Sequence, residues 1–121
     1  MKIQSADALT GKRCQACEGG VAKYTHDQAA EQLKQLGGQW QLSEDSKMIS
    51  RKWRLKNFVE AMEMAERVGQ LAEQEQHHPD LHITGYRHLR VDLTTHAIDG
   101  LSENDFILAA KIDALPVELK K

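Results

Sequence analysis

NFVEAMEMAERVGQLAEQEQHHPDLHITGYRHLRVDLTTH, residues 57–96, changes its hydrophobic period once, and that change decides the fold. The first half has the helical period. Asn57 is a helix-capping residue, and the pattern predicts a helix over roughly 58–76. At 100° per residue, Phe58, Ala61, Met62, Ala65, Val68 and Ala72 share one arc facing a core, and Met64 and Leu71 widen the stripe on one side. His77-His78-Pro79 ends the helix, because a proline disfavours the helical region for the residue before it. The second half has a period of two. Leu89, Val91 and Leu93 alternate with Arg90, Asp92 and Thr94, as in a half-buried antiparallel strand. A hairpin follows from this: one strand over Leu81–Thr84, a turn near Gly85, and the return strand over Arg87–His96.

Working outward, the same two periods recur on either side. Thr25 or Asp27 caps a helix carrying Ala29, Ala30, Leu33 and Leu36, and Gly37-Gly38 stops it. Trp40–Leu42 and Met48–Leu55 form a first hairpin around Glu44-Asp45-Ser46, with Ile49, Trp53 and Leu55 on one face. Ser102 opens a last helix with Phe106, Ala109, Ala110 and Ile112 inward, and Pro116 lies beyond its end. The expected order is α-β-β-α-β-β-α. The class is α+β, a four-stranded antiparallel sheet with helices packed on one face. Residues 1–24 show no sustained period and are expected to be a flexible N-terminal extension carrying Cys14-x-x-Cys17. Residues 25–121 are expected to form a single domain.

Composition narrows the functional classes. Of 121 residues, 40% are hydrophobic and 28% charged, a globular balance. Lys and Arg number 16 against 18 Asp and Glu, so no basic excess points to a nucleic-acid binder. No apolar run has the length of a membrane span. The opening MKIQSADALTGKRC lacks the apolar stretch of a secretory leader, so a cytoplasmic protein is expected. Two cysteines are too few for a disulfide framework. Cys14-x-x-Cys17 is half a zinc site without a second pair, and it lacks the thioredoxin-like context of a redox motif.

Five of the six histidines fall between His77 and His96. His77 and His78 sit at a helix end, where the dipole favours a cation. Glu73, four residues before His77, is placed to hold an imidazole in one tautomer. His96 ends the polar-faced strand, and the hairpin can bring it toward the helix end. Converging imidazoles suit either a transition metal or acid–base chemistry near neutral pH. Asp105 fits a capping box with Ser102.

Together these residues resemble the signature of the pterin-4a-carbinolamine dehydratase family. Glu73-x-x-x-His77-His78-Pro79 is followed by Tyr86 seven residues on, His96 ten further and Asp105 nine further. Trp40 within GGQWQL, the helix stretch RLKNFVEAMEMAERVGQLAEQEQHHPD and the closing LTTHAIDGLSENDFILAAKID are also similar to that family. The likeness covers roughly 25–115.

The resemblance implies an α+β fold, a homodimer or homotetramer, and no metal or organic cofactor. It implies dehydration of 4a-hydroxytetrahydropterin to quinonoid dihydropterin, the recycling step after an aromatic amino acid hydroxylase. His77, His78 and His96 would be catalytic. Asp105 would orient His96 or shape the pocket, and Glu73 would support His77. Pro79, Thr94 and Thr95 would contact the pterin. The helix over 58–76 is the expected subunit contact, through Met64 and Leu71. Two other readings stand beside this one: a histidine-rich metal-binding protein, and a catalytically idle family member acting as a binding scaffold.

Overall fold

In the computed structural model, residues 3–15 and 22–115 are described. The elements run α1 (Ala6–Thr10), α2 (His26–Lys34), β1 (Gln41–Leu42), β2 (Ile49–Arg54), α3 (Phe58–Glu75), β3 (Asp80–Thr84), β4 (His88–Leu93), a 3₁₀ turn (His96–Ile98) and α4 (Glu103–Asp113). From α2 onward this is the expected alternation of helices and hairpins. The strands are antiparallel in the order β1-β2-β4-β3, so β4 sits between β2 and β3.

The alternation in β4 works as its sequence dictates. Leu89, Val91 and Leu93 are buried with Ile49 and Trp53 of β2, against α3 and in one core with the apolar residues of α4. His88 and Arg90 point to the opposite, exposed face. Gly85 and Tyr86 make the β3–β4 turn with successive positive φ values of 51° and 55°. Glycine adopts that conformation at little cost, whereas tyrosine enters it rarely. β4 stops at Leu93 instead of continuing to His96. Thr95 leaves the ladder to bridge Gly100, and the chain winds into the 3₁₀ turn.

Helix α3 starts where expected, with the Asn57 side chain accepting the Glu60 N–H at 2.9 Å. Its rotation is different. The buried stripe is Ala61, Met64, Val68, Ala72 and Glu75. Phe58 and Met62, expected on the core arc, are 51% and 50% exposed. The small residues Ala61 and Ala72, with Val68, set the phase. Measured from the centre of that stripe, Phe58 and Met62 lie about 80° and about 120° around the helix. Met64, expected on the flank, is core, and Leu71 is half-buried.

The N-terminal segment corrects the expectation of a loose lead-in. Ser5 caps α1 by accepting the Ala8 N–H at 3.1 Å, and Leu9 is fully buried. Gln32, also fully buried, exchanges two hydrogen bonds with the Gln4 backbone, at 3.0 and 2.6 Å. Residues 13–15 then lie across two helix ends. The Arg13 guanidinium donates to the Gln74 carbonyl at 3.3 Å, and the Cys14 N–H to Glu75 Oε1 at 2.8 Å. The Asn104 amide makes two bonds to the Gln15 backbone, at 2.9 and 2.8 Å. Burial, reinforced by the charge of Glu75 and a hydrogen bond to it, pushes the Cys14 thiol up to about 12, far from the reactive thiolate range. Cys17 and Pro116 lie outside the described residues, and no helix among the described residues is long and apolar enough to cross a membrane.

Glu75 is the acid at the centre of this clamp. Burial opposes its ionisation, but the Lys111 ammonium at 2.8 Å, the Cys14 N–H and Arg13 together hold its carboxyl below the usual carboxylate range. Its charge therefore stabilises the fold above the ordinary carboxylate range, and that stabilisation is lost as pH falls through the lowered value. Glu75→Gln is expected to cost about 2 kcal/mol at pH 7, because it strips a largely buried ammonium of its counter-charge. In urea unfolding, the gap between the two proteins should close toward pH 3. A gap independent of pH would show that the charge of Glu75 is not what holds the clamp.

Candidate active site

The long helix ends in a way that separates two adjacent histidines. Gln76 takes the left-handed conformation at φ 54° and ψ 38°. The His77 N–H reaches back to the Ala72 carbonyl at 3.2 Å, and the Gln76 N–H to that of Glu73 at 3.4 Å. These are the paired bonds of a Schellman motif. The Gln76 side chain satisfies the Glu73 carbonyl as well, at 2.6 Å. Beyond this reversal the chain is no longer helical. His77 turns inward, with 6% of its side chain exposed, while His78 stays in solvent at 59%.

Inside, His77 meets Asp105, which is fully buried at the first turn of α4. The His77 Nε2–H donates to Asp105 Oδ1 at 2.6 Å. The other oxygen, Oδ2, accepts from the Thr95 hydroxyl at 2.7 Å and from the Ser102 N–H at 2.9 Å. The Ser102 hydroxyl lies 2.7 Å from Thr95 Oγ1 and accepts the Asn104 N–H at 3.2 Å. With the Thr95 proton given to Asp105, Ser102 supplies the proton between the two hydroxyls. Three donors, from His77, Thr95 and Ser102, thus point at the carboxylate. The acid also completes the expected capping box, so its capping role and its histidine partnership coexist on different oxygens.

Two expected pairings change partners. Asp105 holds His77, not His96. Glu73 hydrogen-bonds to His78 Nε2, not to His77. The i,i+4 relation that suggested Glu73–His77 fails because the left-handed residue between them breaks the helical geometry. His96 opens the 3₁₀ turn, is exposed, and its ring makes no hydrogen bond among the described residues. The hydroxyls of Thr94 and Thr95 are both used internally, Thr94 toward the Lys47 and Gly100 carbonyls and Thr95 toward Asp105. Thr95 is 1% exposed, so burial overturns its expected contact with substrate. Pro79 is half-buried beside His78, and Tyr86 is 59% exposed at the distant hairpin turn.

One consequence is spatial. His77 and Thr95 grip the same carboxylate, and each is followed directly by an exposed imidazole, His78 and His96. Asp105 therefore fixes the two chain segments that present both. Ser102 and Thr95 are the contributors sequence reasoning missed in this role. Only the capping pattern at Ser102 hinted at either. No group of three or more His, Cys, Asp or Glu side chains among the described residues is gathered to hold a metal, so the metal-binding reading finds no assembled ligand set there. Next to the network, burial and then the charges of Glu103 and Asp105 push the Tyr24 phenol up to about 12.

Removing a donor from a buried acid is costly. His77→Ala is expected to destabilise the protein by about 2–3 kcal/mol, because Oδ1 loses its partner without gaining water. Asp105→Asn should cost a similar amount, since an amide turns one of its N–H groups against a donor. Urea unfolding of both variants tests this, and a loss below about 0.5 kcal/mol in either would contradict a buried, donor-saturated carboxylate.

The geometry can be set beside known proteins. The sequence profile of the family described as Pterin 4 alpha carbinolamine dehydratase matches residues 22–115. A protein of Halorhodospira halophila named for the same dehydratase is 47% identical over 108 residues, covering 89% of this chain and 97% of its own. Pterin-4-alpha-carbinolamine dehydratase 2, mitochondrial, of Arabidopsis thaliana is 42% identical over 112 residues, covering 91% of this chain and 60% of that longer protein. A crystal structure of a transcriptional coactivator/pterin dehydratase from Brucella melitensis superposes with a TM-score of 0.69 at 30% identity, covering 77% of this chain and 97% of the other. This chain belongs to the pterin 4 alpha carbinolamine dehydratase family.

Proposed function

We propose that the protein is a hydro-lyase that removes water from 4a-hydroxytetrahydropterin, giving quinonoid dihydropterin and so recycling the cofactor of an aromatic amino acid hydroxylase. The observation that carries this reading is the double grip of Asp105 on His77 and Thr95, which fixes the segments presenting His78 and His96. Family membership and the names of the relatives support the same reaction.

The chemistry asks for little else. The C4a–O bond breaks and its hydroxyl leaves as water after receiving a proton. The N5–H proton is removed, and its electron pair forms the C4a=N5 bond. Two positioned proton carriers suffice, and imidazole serves either role near neutral pH. His78, backed by Glu73, and His96, exposed one residue beyond the Asp105 network, are the two carriers. His77 is the positioning residue that ties them to α4. Of the three expected substrate contacts, Pro79 keeps an open surface for the flat pterin ring.

His78→Ala and His96→Ala are each expected to lower turnover by about 10²- to 10⁴-fold while leaving unfolding stability within about 0.5 kcal/mol of the unmodified protein. The measurement is dehydration of a 4a-hydroxypterin generated in situ, corrected for its spontaneous rate. Undiminished turnover in both variants would remove the imidazoles from the mechanism.

We also propose that the protein is a homo-oligomer. The apolar surface left open on α3 is Phe58, Val59 and Met62, with Val59 61% exposed, and not the Met64–Leu71 flank. Such a patch favours burial against a second copy. Light scattering should give at least a dimer, and Met62→Glu should shift it toward the monomer. A monomeric unmodified protein at micromolar concentration would exclude the contact.

A further inference from the structure

Among the described residues the sheet has one face without helices, and that face is not a plain solvated surface. A groove of about 620 Å³ runs along it, lined by Lys52 and Arg54 of β2, His88 and Arg90 of β4, and His82 of β3. It contains none of His77, His78 and His96. His82 and His88 are the two members of the histidine cluster for which the dehydration chemistry has no use.

Three features set the groove apart. First, the register places Lys52 opposite Arg90, two like charges, and Arg54 opposite His88. A cationic cross-strand pair weakens a sheet, so it stands out in a chain whose net charge is −2. Second, part of the cationic array is held in place. Asp92 lies on this polar face yet is only 5% exposed. It accepts from the Ser50 hydroxyl at 2.6 Å and from His82 Nε2 at 3.0 Å, and it pairs with the Arg90 guanidinium at 3.2 Å. A buried acid thus orients one imidazole and one guanidinium at the groove, as an outer-shell carboxylate orients a ligating histidine. Third, Lys52 and Arg54 have no anionic partner among the described residues.

We propose that this groove is a second binding site, separate from the histidine site, for a small molecule bearing a di- or triphosphate. Its volume is that of a small-ligand site. The Lys52–Arg90 row and the Arg54–His88 row lie two residues apart along the strands, about 7 Å. A single phosphate cannot span that distance, whereas a short phosphate chain can. Arginine is the side chain whose fork matches phosphate oxygens two at a time, and each row contains one.

The test is calorimetric titration with inorganic triphosphate at low ionic strength, with backbone amide shifts read in parallel by NMR. One site per chain is expected, with shifts confined to β2, β3 and β4 and affinity falling as salt is added. Lys52→Ala/Arg54→Ala should weaken binding at least about tenfold, and Arg54→Lys alone severalfold, because it keeps the charge but loses the fork. Lys12→Ala/Lys34→Ala, which removes the same charge elsewhere on the surface, should leave binding unchanged. Relieving like-charge contacts does not unfold a sheet, and circular dichroism should show the variants folded. No binding at about 5 mM triphosphate would overturn the proposal, since so weak a site has no selective value. So would equal weakening in both double variants, or a DNA duplex binding more tightly than triphosphate and being lost on the same substitutions. No readout depends on dehydration, so this site and the catalytic reading stand or fall separately.

Discussion

A carboxylate taken out of water must be surrounded by donors, and Asp105 collects its donors from three separate stretches of chain. His77 arrives from the end of the long helix, Thr95 from the strand that leaves the sheet, and Ser102 from the start of the acid's own helix. Each stretch would otherwise be an irregular connection free to shift. Satisfying one buried charge locks all three at once, because any displacement leaves a donor or an oxygen unpaired. The rest of the site inherits its geometry from that constraint. The exposed imidazoles are held in place by the residues that precede them.

The left-handed turn at Gln76 makes this possible. A helix continuing through His77 and His78 would leave both on one solvent-facing side. Reversing the chain by one residue sends the first inward and leaves the second outside, so two identical side chains acquire different surroundings. One becomes an anchor and the other stays accessible, with Glu73 swung beneath it.

The order of elements was legible because period carries it: 3.6 residues in α2, α3 and α4, two in β2 and β4. What the pattern could not supply was phase and partnership. In α3 the expected stripe takes in Phe58 and Met62 beside the alanines, yet small residues are what let a helix lie close to a sheet, and they set the rotation. The pairing of Glu73 with His77 follows from a rule that holds only while a helix continues. By pattern alone Asp105 is a cap or a histidine partner, although a carboxylate has two oxygens and can be both. The first fifteen residues offered no period at all. Gln4 and Gln15 are held by paired bonds to distant groups, to Gln32 and to Asn104, and no local pattern announces such bonds.

That last contact joins residues separated by 89 positions in the chain. On the ribosome residues 13–15 emerge long before the start of α4. The segment that clamps the end of α3 to the start of α4 can therefore bond the end of α3 first, and completes the clamp only once Asn104 has been made. Asp105 comes out beside its clamp residue Asn104, 28 positions after His77. A nascent chain lacking α4 has its histidines but not the carboxylate that holds His77 and Thr95, so the arrangement around Asp105 forms only once α4 is present.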